Sequence, residues 1–375
     1  MHDDGVTKTF AVITGGGTAG HVLPALAIAD ALVARGHQPA EIHYVGSERG
    51  IEARLLPDSP YEHTFLPGRG IQRRLTLANL GAVAGLLVAL GRALRLVGRL
   101  KPSVVVAVGG YASVAVALAA VVRRVPVVVA EQNTSPGAAN RLIARFAKAS
   151  AVAFDGTPLP RAVVTGNPVR PEIAALDPAR DKGEAKRRFG HDPGRRLVLV
   201  FGGSLGALRI NEAVLAALPR WRDRDDLAVH HAVGARDWEV ISAAIPTDTG
   251  PLEYRAVRYE EDMPAALAAA DLAVTRAGSG TCFELLAAGL PSILIPSEVT
   301  TAGQQAGNAA VVERAGAAVV LPDRELDGAR LAADVDELLA DPNRLAAMSA
   351  AAVHAARPDA ADRIAAIAEE HARRG

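Results

Sequence analysis

Four short glycine-rich turns, each directly behind a run of apolar residues, carry most of the chemistry this sequence offers. The first reads Thr14-Gly15-Gly16-Gly17-Thr18-Ala19-Gly20-His21 and leads into an amphipathic helix at Val22-Leu23-Pro24. Glycines let a backbone approach a ligand closely, and the free N–H groups of a helix start favour anions. Gly15-x-Gly17-x-x-Gly20 also fits the dinucleotide fingerprint, which needs an acid after the second strand to hold a ribose. That region supplies Gly46-Ser47, with Glu48 later than the fingerprint wants it, so a plain strand–helix turn without a ligand stays open. The second turn, Gly202-Gly203-Ser204-Leu205-Gly206-Ala207, opens a helix through Asn211, and a third, Gly109-Gly110-Tyr111, ends another strand. The fourth, Thr275-Arg276-Ala277-Gly278-Ser279-Gly280-Thr281-Cys282-Phe283-Glu284, puts small residues at a helix start and a glutamate one turn in. A diphosphate at such a start and ribose hydroxyls on Glu284 are one reading; a glutamate complementing the helix dipole is the other. Beyond the next strand, Gln304-Gln305-Ala306-Gly307-Asn308 offers amides suited to sugar hydroxyls.

These turns need strands and helices to hold them. Apolar runs at 9–14, 42–45, 104–108, 125–130 and 151–154, then 197–201, 228–233, 253–257, 272–275, 292–295 and 317–321, alternate with Ala/Leu-rich helical stretches. Nearly continuous apolar strands separated by helices predict parallel sheets covered on both faces. With 375 residues and a restart after a proline-rich, charged stretch, the expectation is α/β with two doubly wound Rossmann-like domains facing across a cleft. The first domain is placed at 1–165, a linker at 166–195, the second domain at 196–341 and a helical tail at 342–375. An open parallel sheet binds its ligands at the carboxyl ends of its strands.

Composition narrows the functional classes. Half the residues are apolar, so the chain can fold around substantial cores. The 41 basic and 41 acidic residues cancel, which argues against nucleic acid as a partner. One cysteine excludes a disulfide framework and fits a reducing cytosol. The polar start Met1-His2-Asp3-Asp4 is unlike a signal peptide. The apolar stretch from Leu75 is broken by Arg92, Arg95 and Arg99 before reaching the ~20 residues a spanning helix needs.

In order along the chain stand Gly15–His21, Gly109-Gly110-Tyr111, Glu131-Gln132-Asn133, Thr165-Gly166-Asn167-Pro168-Val169-Arg170, Gly202–Ala207, Arg276–Glu284 and Gln305-x-x-Asn308. Together, from about residue 9 to 322, this set resembles the peptidoglycan lipid-intermediate N-acetylglucosaminyltransferases. That family consists of two-Rossmann-domain (GT-B) glycosyltransferases of family 28. The resemblance implies inverting transfer of N-acetylglucosamine from UDP-N-acetylglucosamine to the C4 hydroxyl of a muramoyl-pentapeptide carried on a polyprenyl diphosphate. It implies a donor site mainly on the second domain, with Glu284 on the uridine ribose and Ser204, Ser279, Gly280 and Thr281 on the diphosphate. Arg170 falls near the uracil or the linker, Gln305 at the donor sugar, and the main chain of Glu260 at the uracil. Thr18, with its neighbours Ala19 and Gly20, and Asn133 close on the donor from the first domain. Tyr111 and Asn140 fall on the acceptor side, and the resemblance implies that the helical tail at 342–375 packs back on the first domain.

A glycosyl cation-like transition state with departing UDP needs diphosphate charge stabilised and a base beside the incoming hydroxyl. His21 is the favoured base because neutral imidazole is basic enough near neutral pH, though a histidine there can also simply cap the turn. Glu131 is the rival base, or orients acceptor groups, or serves structure. The sequence departs from the family at Ala19 (usually glycine), Leu205 (usually glutamine), Ala130 (usually histidine) and across 297–303. These departures leave open a UDP-sugar transferase with another lipid or small-molecule acceptor. An NAD-dependent oxidoreductase and a non-catalytic nucleotide-sugar binder are the rival classes. Asp223-Arg224-Asp225 and Asp334-Val335-Asp336 match the Asp-x-Asp pattern of metal-using transferases. The first lies among arginines before a strand and the second on a polar helix, so both read as surface. No cofactor and no divalent metal are expected at the reaction centre. Between 69 and 100, Leu75, Leu77, Leu80, Val83, Leu87 and Leu90 are flanked by Arg69, Arg73, Arg74, Arg92, Arg95 and Arg99. An apolar face with a basic rim suits peripheral attachment to the cytoplasmic side of the cell membrane; a core helix would carry the same pattern.

Overall fold

A computed structural model describes residues 8–48, 50–67, 77–203, 206–298 and 303–373. The chain divides into two compact units, 1–169 with 357–375 and 170–356. The first holds β1 (Ala11–Gly15), β2 (Ile42–Ser47), β3 (Glu62–Leu66), β4 (Val104–Gly109), β5 (Val127–Glu131), β6 (Ala149–Val152) and β7 (Ala162–Val164). They form one parallel sheet in the order β3-β2-β1-β4-β5-β6-β7. The second unit holds β8 (Arg196–Phe201), β9 (Leu227–Ala232), β10 (Glu253–Val257), β11 (Leu272–Thr275), β12 (Ser292–Leu294) and β13 (Ala318–Val320). Their order is β10-β9-β8-β11-β12-β13, again all parallel.

The unbroken apolar runs follow from burial on both faces of each sheet. Successive strand residues point to opposite sides. Val12, Val105, Ala107, Val127 and Val129 therefore meet one helix layer that includes Ala89, Ala93, Leu96 and Val97. Ala11, Ile13, Val104, Val106, Val108 and Val128 meet the other, which includes Ile28, Leu32, Ile364, Ala365 and Ala368. The second sheet splits the same way, with Val198, Val200 and Val274 on one side and Leu199, Phe201 and Ala273 on the other.

β3 and β7 lie at the two edges of the first sheet. Neither has an apolar run to announce it: Glu62 and His63 are exposed in β3, and β7 is three residues long with Ala162 and Val163 exposed. The charged stretch placed in a linker at 166–195 folds into helices Pro171–Ala174 and Pro178–Arg188 of the second unit. Its basic residues are tied inward, with Lys186 Nζ 2.7 Å and Lys182 Nζ 3.0 Å from the half-buried Asp271 carboxylate. The segment 342–375 is likewise two pieces. Helix Pro342–Ala355 belongs to the second unit, while Ala360–His371 lies on helix Ala19–Ala34 of the first. Arg35 clamps that contact, 2.8 Å from both Asp362 and Glu369.

Candidate active site

In each sheet the strand order reverses once, between β1 and β4 in the first and between β8 and β11 in the second. Ligands of open α/β sheets bind at such switch points, outside the carboxyl ends of the strands. All four glycine turns singled out in the sequence leave those strands.

In the first unit the turns after β1 and β4 abut. Gly16 N donates to Gly109 O at 3.3 Å, and Ser113 Oγ bridges Thr14 O and Gly109 O at 2.8 Å each. Gly110, at φ +89°, has no room for a Cβ because the Gly16 backbone fills that place. His21 stands in the first turn of helix Ala19–Ala34, its Nδ1 3.3 Å from Thr18 Oγ1. A Cβ on Gly109 would sit 3.0 Å from the His21 Nε2, so the glycine makes space for the imidazole. Burial lowers the His21 pKa below its ordinary 6.5, against the opposing pull of Glu131, a Gly16 backbone hydrogen bond and Glu52. The imidazole is therefore neutral at pH 7.

Glu131 ends β5 with 4% of its surface exposed. Its Oε1 accepts from Asn133 N at 2.9 Å and Asn133 Nδ2 at 3.2 Å. Its Oε2 accepts from Asn140 Nδ2 at 2.9 Å and Gly137 N at 3.1 Å. Each carboxylate oxygen thus already takes two hydrogen bonds, which is the geometry of an organiser of the 131–140 loop. Asn140 Oδ1 and Tyr111 Oη are buried without a hydrogen-bond partner among the described residues. Burial raises the Tyr111 hydroxyl above its ordinary pKa, so it is a donor at neutral pH.

One residue of this site was not singled out in the sequence. Glu52, with none of its surface exposed, accepts from Gly17 N at 3.0 Å and from Ser47 N and Ser47 Oγ at 2.8 and 2.6 Å. The Gly17 N–H, the kind of donor a dinucleotide phosphate would take, is therefore directed at a carboxylate. A diphosphate on that N–H would face like charge, which removes the nicotinamide reading of Gly15-x-Gly17-x-x-Gly20. The only signal in the sequence was Gly46 and Gly50 around Ser47: a Cβ at Gly16, Gly46 or Gly50 would overlap the Glu52 side chain. Glu48, weighed as the ribose acid, is a surface residue 3.8 Å from Arg92.

In the second unit, helix Ser279–Ala287 starts behind β11 with Gly278 in extended conformation and no side-chain cap. Ser279, Gly280 and Thr281 form its first turn, and Glu284 follows on the same helix. Arg170 Nε donates to Glu284 Oε1 at 3.0 Å. Burial raises the Glu284 pKa, and the Arg170 charge and hydrogen bond oppose it. Gln305 Oε1 accepts from Ser297 N at 2.8 Å, and Asn308 Nδ2 donates to Ala277 O at 3.3 Å, tying helix Gln304–Arg314 to the turn after β11. Glu260 follows β10 with its side chain turned inward, Oε2 2.8 Å from His230 Nε2, while Oε1 accepts from Asp262 N at 2.8 Å. Ser204 and Leu205 lie outside the described residues, as do Arg69, Arg73, Arg74 and Leu75. Cys282 is fully buried and its thiol is pushed up to about 12 by burial, so it is inert.

The acids of the two Asp-x-Asp matches lie apart from both switch points. Asp223 and Asp225 are exposed, while Arg224 binds Asp226 and Asp336, and Asp334 takes Arg330 at 2.9 Å.

Residues 11–152 match the glycosyltransferase family 28 N-terminal domain, and residues 197–364 the C-terminal domain of the same family. The chain belongs to glycosyltransferase family 28. A family relative from Desulforudis audaxviator (strain MP104C) is 38% identical over 97% of this chain and 99% of its own length. It is named UDP-N-acetylglucosamine--N-acetylmuramyl-(pentapeptide) pyrophosphoryl-undecaprenol N-acetylglucosamine transferase. A relative of the same name from Frankia casuarinae is 40% identical over 96% of this chain and 95% of its own. Among solved structures, Acinetobacter baumannii MurG matches with TM-score 0.77 and 26% identity, covering 96% of this chain and 99% of that one. The calicheamicin glycosyltransferase CalG4 matches with TM-score 0.66 at 19% identity over 97% and 98% of the two chains, a likeness of fold. The fold is GT-B, with two doubly wound Rossmann-like domains.

Proposed function

We propose that this family member transfers N-acetylglucosamine from UDP-N-acetylglucosamine to the C4 hydroxyl of a polyprenyl-diphosphate-linked muramoyl-pentapeptide, with inversion. The observation that carries the reading is full-length similarity to relatives named for this transfer, joined to glycine turns at the switch point of each sheet. Donor binding is assigned to the second unit. Glu284, oriented by Arg170, takes the ribose hydroxyls; the N–H groups of Ser279, Gly280 and Thr281, with Ser204, take the diphosphate. Gln305 takes the sugar, and the main chain at Glu260 takes the uracil.

Proton removal is assigned to His21. The acceptor C4 oxygen gives its proton to the neutral imidazole and forms the new bond to the anomeric carbon. The bond from that carbon to the diphosphate breaks, and UDP leaves with the electron pair. Glu131 is then a positioning residue, since its four hydrogen bonds hold Asn133, Gly137 and Asn140 in place. Asn140, Tyr111 and Thr18 with its neighbours Ala19 and Gly20 are assigned to acceptor and donor-sugar contacts.

Attachment to the cytoplasmic membrane face is assigned to the 69–100 region. Among the described residues no helix is long and apolar enough to cross a membrane. Helix Leu77–Leu100 turns Ala89, Ala93, Leu96 and Val97 inward and leaves Leu87, Val88, Arg92, Arg95 and Arg99 exposed. A groove of about 290 Å³ between those arginines and Phe65 and Leu66 suits an anionic amphiphile.

The test follows UDP release with purified protein, UDP-N-acetylglucosamine and a short-chain lipid-linked muramoyl-pentapeptide, with product mass measured. Acceptor-dependent release and a disaccharide product are expected. Saturable UDP binding without turnover would refute this acceptor.

A further inference from the structure

The fully buried carboxylate behind the first glycine turn takes no part in the bond-making and bond-breaking assigned to the reaction. Glu52 belongs to the short helix Glu52–Leu55 after β2, yet its side chain reaches the turn after β1 and holds the Gly17 N–H. Gly17 adopts φ +93°, and four residues later comes His21. Three glycines, Gly16 after β1 and Gly46 and Gly50 around the end of β2, leave room for this one side chain. A carboxylate placed where water is excluded keeps much more of its field than one in solvent.

We propose that Glu52 is a positioning residue for the transfer: it fixes the turn that carries His21 and, with Glu131, supplies the negative charge that stabilises imidazolium when His21 takes the acceptor proton. This rests on the reading of His21 as the base. Such charge is of little use to a resting neutral imidazole and of most use once the proton has moved, so it acts on the transition state. Several other groups surround the imidazole. Glu131 comes from β5 and Asn140 from helix Ala138–Ile143. Thr18, at the N-cap position of the His21 helix, sets its Oγ1 3.3 Å from the ring Nδ1, and the Gly16 backbone makes a hydrogen bond to the ring. The carboxylates of Glu131 and Glu52 pull the imidazole toward protonation.

The test is an NMR titration of the His21 ring in labelled protein, assigned with His21→Gln, beside the pH profile of kcat/KM. In Glu52→Gln the proton affinity of His21 is expected to fall about three- to tenfold, which is half to one pH unit. The acid limb of kcat/KM moves to lower pH by the same amount, and the UDP-N-acetylglucosamine Kd stays as it was. Ser47→Ala, which removes a hydrogen bond from Glu52 but no charge, leaves the His21 titration in place. A Glu52→Gln titration that coincides with wild type, or a Ser47→Ala shift of the same size, makes Glu52 a structural anchor only and overturns the proposal. Should Glu52→Gln not fold, Glu52→Asp draws the charge back by one methylene and reads the same quantity with smaller amplitude; an unchanged midpoint there also overturns it. Failure of the base reading is separate: it would appear as wild-type turnover that persists in His21→Gln, whatever the titrations do.

Discussion

At His21, burial and charge pull in opposite directions, and burial prevails, which leaves an imidazole able to accept a proton at neutral pH. Its place at the start of a helix could be read from the sequence, and so could that of Glu131 at the end of a buried strand. What could not be read was how occupied Glu131 is, because two of its partners, Gly137 and Asn140, come within reach only after the loop folds back. Glu52 escaped for a related reason. It is 35 residues from Gly17, and only the parallel pairing of β1 with β2 brings it beneath the turn. Glu284 was visible as an acid one turn into a helix, with two meanings; it lies beyond the first turn of helix Ser279–Ala287, which weakens the dipole reading, and Arg170 holds one of its oxygens. Replacing Glu284 with alanine is expected to raise the UDP-N-acetylglucosamine Kd about tenfold or more, as for loss of charged hydrogen bonds. Calorimetric titration would check this; an unchanged Kd would reduce Glu284 to a dipole partner.

At the level of strands and helices, period and burial carried most of the prediction. Central strands with both faces covered announce themselves as apolar runs, and edge strands such as β3 and β7 do not. The stretch 166–195 looked like a linker because it is dense in charge, and its helices are instead tied to the second unit through a half-buried acceptor, Asp271, that lies far away in sequence. Helix Ala360–His371 also joins residues distant in sequence: its apolar face, Ile364, Ala365 and Ala368, completes a core begun by Ile13, Ile28 and Leu32. Ile364→Ala is expected to destabilise the first unit by about 2–4 kcal/mol through lost burial and the cavity left behind. Urea unfolding would measure it; a change below about 1 kcal/mol would mean the helix contributes little to that core.

For the molecule as a whole, several histidines are folded in without their proton. Burial, with His230 nearby, holds His231 at about 3, and burial also lowers His230, His191 and His43. The unfolded chain takes up protons at these sites near pH 6.5, while the folded chain resists until lower pH. Stability is therefore full above about 6.5 and is lost as pH falls toward 3, by about 1.4 kcal/mol per pH unit for each histidine still excluded from protonation. Denaturation midpoints at pH 7, 6, 5 and 4 would fall in that order, and a flat profile would contradict the buried neutral network. Both units repeat one plan, a glycine turn at a switch point backed by a carboxylate: Glu52 behind Gly17 and Asp237 beside Gly206. The proposed reaction is divided between them, with the base on one and the donor site on the other. The most direct test of that division is acceptor-dependent UDP release by His21→Gln at saturating UDP-N-acetylglucosamine. The expected rate is about 10²–10⁴-fold below wild type with the donor Kd unchanged. A variant that turns over at the wild-type rate, or that loses donor binding along with turnover, would contradict it.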